Sequence, residues 1–172
     1  VCVGPDVARR FNIREQRFLY GRAAMGLADK AAILRKLSPG ELGDMLGNSV
    51  RIHQPAYDGL GRRNEDQSKQ LRRAYSRKSL RTLEDPAQVV AGQQQKIVLE
   101  PIVQGLLLAG DRAGLVVSAD PTAGLGLILR EEMPSNQPRP ETAEAIAAAV
   151  HSRADLKELM VFALTDDFFR LR

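Results

Sequence analysis

Helix-start signals recur along this chain, and they constrain its fold more than any other feature. Asn12 followed by Glu15 has the form of a capping box, in which each side chain satisfies the other residue's backbone amide. Ser38-Pro39-Gly40-Glu41 is a stronger version. There Ser caps, Pro takes the first helical position, where no N–H is needed, and Glu reaches back. Asp120-Pro121 repeats the cap and proline, while Ser152 with Asp155, and then Thr165, mark two later starts. The pattern predicts an all-α domain. A short strand at Val1-Cys2-Val3 is the one extended element it allows.

Apolar spacing places the expected helix faces. Ile13, Arg17, Tyr20, Ala24 and Leu27 form one stripe, with Phe18 and Met25 beside it. The helix after Ser38 carries Leu42, Met45, Leu46, Val50 and Ile52 and stops by Gln54-Pro55. Tyr57-Asp58-Gly59 reads as a turn. Propensity predicts helix from about Asn64 to Leu83, ended or kinked at Glu84-Asp85-Pro86. A long helical region follows from Pro86 to about Ala109, kinked or split at Pro101. Its Ile97, Val98, Ile102, Val103, Leu106 and Leu107 are expected to supply the core. Asp120 to Leu129, Glu141 to Val150 and two closing segments complete the helices, with a loop at Pro134 to Pro140.

With 172 residues, the chain is expected to form a single domain, residues 1–172. Hydrophobic residues at 44% and charged residues at 27% fit a globular domain and not a disordered one. No apolar run nears the roughly 20 residues that span a bilayer, and with no leader pattern in its first residues export is not expected. The single cysteine, Cys2, cannot form an internal disulfide, which fits a reducing, cytoplasmic setting. Val1 in place of Met, and a closing charged-apolar helical pattern, lead us to expect a fragment of a larger protein.

The inventory of chemical groups is thin. Two histidines, His53 and His151, lie far apart in sequence. No EF-hand loop, Gly-x-Ser-x-Gly motif or phosphate-binding Gly-Lys-Ser/Thr loop occurs. His53 near a helix end favours the helix dipole, a structural role. We therefore expect no catalytic residues, no metal and no cofactor.

Charge is the one sharp feature. The chain carries +4 overall, and Arg62 to Arg81 holds eight basic residues against Glu65 and Asp66. Lys69, Arg72, Arg73 and Arg77 fall at helical spacing, so they are expected to share a face and form a candidate binding surface. This segment supports an alternative reading as a nucleic-acid-binding domain. With Tyr75 as its one aromatic, only weak, non-specific attraction to nucleic acid is expected, and a solvated or protein-facing face is the preferred reading.

Two stretches carry a resemblance. Glu15-Gln16-Arg17-Phe18-Leu19-Tyr20-Gly21-Arg22-Ala23-Ala24-Met25-Gly26 resembles the active-site helix of HExxH zinc metalloproteases, whose pattern runs E-x-R-F-x-x-G-H-E-x-x-H. Asp111-Arg112-Ala113-Gly114-Leu115 resembles the later E-x-x-A-D-R-x-G helix that brings the third ligand. The segment from Asp155 to Arg172 is similar to the C-terminal end of large helical-repeat (tetratricopeptide-type) proteins of myxobacteria and relatives, where a degenerate metalloprotease-like domain follows the repeats. The resemblance implies a zincin-like helical core. It also implies a lost site. Arg22 stands at the first His, Ala23 at the catalytic Glu, Gly26 at the second His and Leu107 at the third-ligand Glu. The expectation is a non-catalytic interaction or scaffolding domain of a bacterial protein. Its partner would be another protein or the helical repeats of its own parent chain.

Overall fold

Asn12 and Ser38 act as the sequence predicts. The Asn12 Oδ1 accepts the Glu15 amide at 3.0 Å, and Glu15 Oε2 accepts the Asn12 amide at 2.8 Å. Ser38 and Glu41 close the second box in the same way. The computed structural model describes residues 4–93, 97–132 and 142–172. The expected strand at Val1–Val3 and the loop at Pro134 to Pro140 lie outside the described residues. Every regular element among the described residues is helical, so the fold is all-α.

The chain divides into two compact units, residues 1–32 with 105–172, and residues 33–104. Thirteen basic and thirteen acidic residues balance in the first unit. Twelve basic and eight acidic residues leave the second unit with the whole net charge.

The first unit contains α1 (Pro5–Arg10), α2 (Ile13–Ala28), most of α6 (Leu99–Ser118), α7 (Pro121–Glu132), α8 (Ala143–Ser152), α9 (Ala154–Ala163) and α10 (Asp166–Leu171). Its core gathers Phe18, Leu115, Leu125, Leu127, Ile128, Leu129, Leu156, Leu159 and Phe168. Glycines let the backbones approach. A Cβ at Gly21 would lie 2.7 Å from the Ala113 carbonyl, and one at Gly124 would lie 2.5 Å from Leu115. Asp120 caps α7 through the Ala123 amide at 3.1 Å, and Thr165 caps α10.

The second unit contains α3 (Pro39–Arg51), α4 (Glu65–Ala74), α5 (Arg77–Ala91) and the first turns of α6, after a 3₁₀ turn at Ala32–Arg35. α4 and α5 both pack on α3.

Several expectations need correction. The α2 stripe faces outward: Ile13, Tyr20 and Leu27 are 62%, 41% and 53% exposed, while Glu15, Phe18, Gly21 and Arg22 are buried. Close helix crossing selects the glycine face over the apolar one. The helix expected from Asn64 to Leu83 breaks at Tyr75-Ser76. The Ser76 hydroxyl accepts the Ser79 amide at 3.0 Å, and a capping hydroxyl competes with helix continuation. Pro86 neither ends nor starts a helix, because α5 runs through it to Ala91.

Pro101 does not split α6, since it sits in the first turn, where a missing N–H costs no helical bond. Of the six residues expected in the core, Val103 is buried. Val98 and Ile102 are exposed, and Ile97, Leu106 and Leu107 are half-buried. A nearly continuous apolar run does not say which face turns inward, and the deep part of α6 lies later, at Leu115. Finally, Ser152 does not cap α9. Its hydroxyl donates back to the Ala149 carbonyl, and Arg153, paired with Asp155, stands at the cap position.

Candidate functional site

Three regions bear on function, the first two in the unit formed by residues 1–32 and 105–172. The first is built around Arg22. Its guanidinium makes a fork on Glu131, with Nη1 to Oε2 at 2.7 Å and Nη2 to Oε1 at 2.5 Å. Asp111 stands 3.6 Å away and the Phe18 ring 5.4 Å. Burial alone would lower the Arg22 pKa. The hydrogen bonds and charge of Glu131, with those of Asp111, more than offset this and hold it above the ordinary value. Arg22 is therefore a locked cation.

The other positions of the resemblance do not converge on it chemically. Ala23 faces outward, Gly26 lies against Ala32, and Leu107 is half-buried one turn before Asp111. The geometry does bring α2 against α6, through Gly21 on Ala113 and Gly114 on Phe18. Among the described residues, no group of three or more His, Cys, Asp or Glu side chains is placed to hold a metal ion. A second ion pair, Glu15 with Arg130, ties α2 to α7.

The second region is the outward seam of α2. Ile13, Arg17, Tyr20, Ala24 and Leu27 follow one another by four, three, four and three residues. That alternation is the spacing by which one helix offers a seam to another. All five are exposed. Half-exposed Val117 of α6, packed against Gly21, widens the apolar surface.

The third region lies in the unit formed by residues 33–104. Gly43, Gly47 and Arg51 recur every four residues along α3. The glycines admit the segment at residues 60–61 against the helix, where Gly61 takes a φ of +57° beside the Gly43 carbonyl. Arg51 then reaches across the loop. It donates to the carbonyls of Tyr57, Leu60, Gly61 and Arg62 and to the Asn48 side chain, none of them a carboxylate. Asn48, fully buried, donates to the Asp44 and Arg62 carbonyls and to Gln67, and accepts the Asn64 amide.

Beside this loop lies a groove of about 290 Å³, bordered by Arg51, Arg63, Glu65, Ser68, Lys69 and Arg72, with Ile52 and Pro55 as its apolar lining. The expected single face of Lys69, Arg72, Arg73 and Arg77 is thus divided. Lys69 and Arg72 border the groove, Arg73 is exposed on α4 outside it, and Arg77 opens α5. The sequence reading missed Asn48 and Arg51. The Gly43, Gly47 and Arg51 spacing was the available signal.

His53 follows the last turn of α3, its amide on the Val50 carbonyl, and its buried Nε2 has no hydrogen-bond partner. Among the described residues, no helix is long and apolar enough to cross a membrane. Comparison of the chain with protein-family models, with curated proteins and with solved structures found no match.

Proposed function

We propose that this chain is a non-catalytic protein-interaction or scaffolding domain whose contact surface is the outward seam of α2. The exposed run Ile13-Arg17-Tyr20-Ala24-Leu27, apolar but for Arg17, carries the reading, because a helix in water seldom turns its larger apolar residues, here Ile13, Tyr20 and Leu27, to one side away from its own core without a partner for them. The partner that fits is an amphipathic helix with an acidic side chain opposite Arg17. The helical repeats of a parent chain are one such source. In a second copy aligned in parallel register, Arg17 would face Arg17, which disfavours self-pairing.

The Arg22 cluster supports the non-catalytic half of the proposal. If the resemblance to zinc metalloproteases reflects descent, a cation held by Glu131 and Asp111 now occupies the place of a metal ligand. Its positive charge would oppose a dication. The cytoplasmic setting belongs to the same reading and rests on the single cysteine.

A photo-crosslinking residue at position 20, introduced in the cells of origin, tests the surface. A cross-linked partner specific to that position, lost on Leu27→Asp and altered by Arg17→Glu, is the expected result. No cross-link, or the same products from a probe at exposed Lys157, would reject it. Elemental analysis tests the other half, and one zinc per chain would overturn it.

A further inference from the structure

We infer that the basic groove beside α4 takes the phosphate groups of a nucleic-acid backbone, without reading its bases. Arg63, Lys69 and Arg72 line the groove with Ser68, and Glu65 is the one acid among the lining residues; Arg63 also donates to the Pro55 carbonyl at 2.6 Å. Behind them, Arg51 is buried and bonded only to carbonyls and Asn48, so its charge is not cancelled within the loop it holds. Lys69 has an ion pair with Asp66 at 3.5 Å, but both groups are well exposed, and such pairs contribute little.

The charge continues past the groove. Arg73 on α4, and Arg77, Lys78 and Arg81 in the first turns of α5, are all exposed. This run of exposed basic residues fits a polyanion with repeated charges better than one small anion.

Two observations bear on the kind of polyanion. Protein interfaces have an apolar centre within a polar rim. Between Arg62 and Arg81 no large hydrophobic side chain is exposed, and the apolar border of the groove is limited to half-buried Ile52 and to Pro55, a small centre beside eight basic residues. Tyr75, the segment's one aromatic, is half-buried, and its hydroxyl is held by Ser49 at 2.9 Å. One half-buried aromatic held at its hydroxyl offers little for base stacking, so the phosphates are the group recognised.

This proposal concerns the other unit and stands independently of the α2 seam. Binding of the full chain to fluorescent duplexes of two unrelated sequences, followed through a salt series, tests it. The expected Kd near physiological salt is about 10⁻⁴ to 10⁻⁶ M for both sequences, as for sequence-independent attraction, with steep tightening at low salt. Each lost phosphate contact lowers the salt slope by about 0.9 for a duplex.

Lys69→Glu with Arg72→Glu should therefore lower the slope by about 2 contacts' worth, and Lys69→Gln with Arg72→Gln by a similar amount at milder charge change. The same double reversal at exposed Arg9 and Arg10 of the other unit should leave it unchanged. Equal loss from both pairs would mean general charge attraction and overturn the site. So would binding that poly-glutamate abolishes at the concentration of phosphate-backbone competitor, or no salt dependence at all.

Discussion

The ring of Phe18 occupies the space that a side chain at position 114 would need. A Cβ on Gly114 would lie 2.7 Å from the Phe18 Cδ2 and 2.8 Å from its backbone carbonyl oxygen. The ring is fully buried among Leu115, Leu125 and Leu156, and the carbonyl belongs to α2, so neither can move aside cheaply. The same contact fixes how closely α2 and α6 cross.

Replacing a helical glycine by alanine ordinarily stabilises a protein by roughly 0.5–1 kcal/mol. Gly114→Ala should do the reverse and cost about 1–3 kcal/mol, because overpacking outweighs the gain in propensity. Gly105→Ala, in the same helix with nothing within 4 Å of the new atom, should show the ordinary gain. Denaturant melts of the two variants compare them directly. Similar shifts in both would disprove the close crossing.

The Arg22 cluster predicts a coupled loss. Arg22→Met keeps the apolar stem but leaves the buried Asp111 carboxylate without its Arg22 partner. The cost should be about 3 kcal/mol or more, as for other broken buried ion pairs. Adding Asp111→Leu should recover part of it, since the carboxylate that Arg22 balanced is then gone as well. A double-mutant cycle with no coupling would show that the two groups do not act together.

Asn48 joins α3 to the loop at residues 60–64. Asn48→Ala removes a buried hub that serves the Asn64 amide, the Arg62 carbonyl and Gln67. The loss should be about 3 kcal/mol, because several buried groups lose their partners at once. Hydrogen exchange should quicken first at residues 62–64. Exposed Gln70→Ala, on the outer part of α4, should stay within about 0.5 kcal/mol.

Asp120 gives a pH dependence. Burial alone would raise its pKa, but Arg14 at 2.7 Å and the Ala123 amide outweigh this and hold it below the ordinary value. Asp155 is lowered too, chiefly by its hydrogen bond with Arg153. A depressed carboxylate contributes stability above its unfolded pKa of about 3.9, and that stability is lost as pH falls through the folded value. Asp120→Asn keeps a capping oxygen and removes the charge. The gap in melting temperature between the native chain and this variant should be full at neutral pH and shrink below about pH 4. A gap constant with pH would show that the charge is not involved.

The sequence by itself determined where four of the helices begin, though not the starts at Ser76, Leu99 and Ala154. Asn12, Ser38, Asp120 and Thr165 all cap as their local patterns require, because a cap is a contact within a few residues and needs no other part of the chain. It also determined the basic composition of the segment from Arg62 to Arg81. Tertiary structure decided which way the helices face. In α2 the apolar spacing pointed to Ile13, Tyr20 and Leu27, yet Phe18, Gly21 and Arg22 are buried, since Gly21 and Gly114 permit the closest approach and Arg22 finds its carboxylates on α6 and α7. In α3 it decided that Arg51 holds a loop by its carbonyls, and in α4 that Lys69 and Arg72 share a groove which Arg73 and Arg77 do not border. Periodicity shows that a helix has two faces, and only the space left by the neighbouring backbones selects the one that packs.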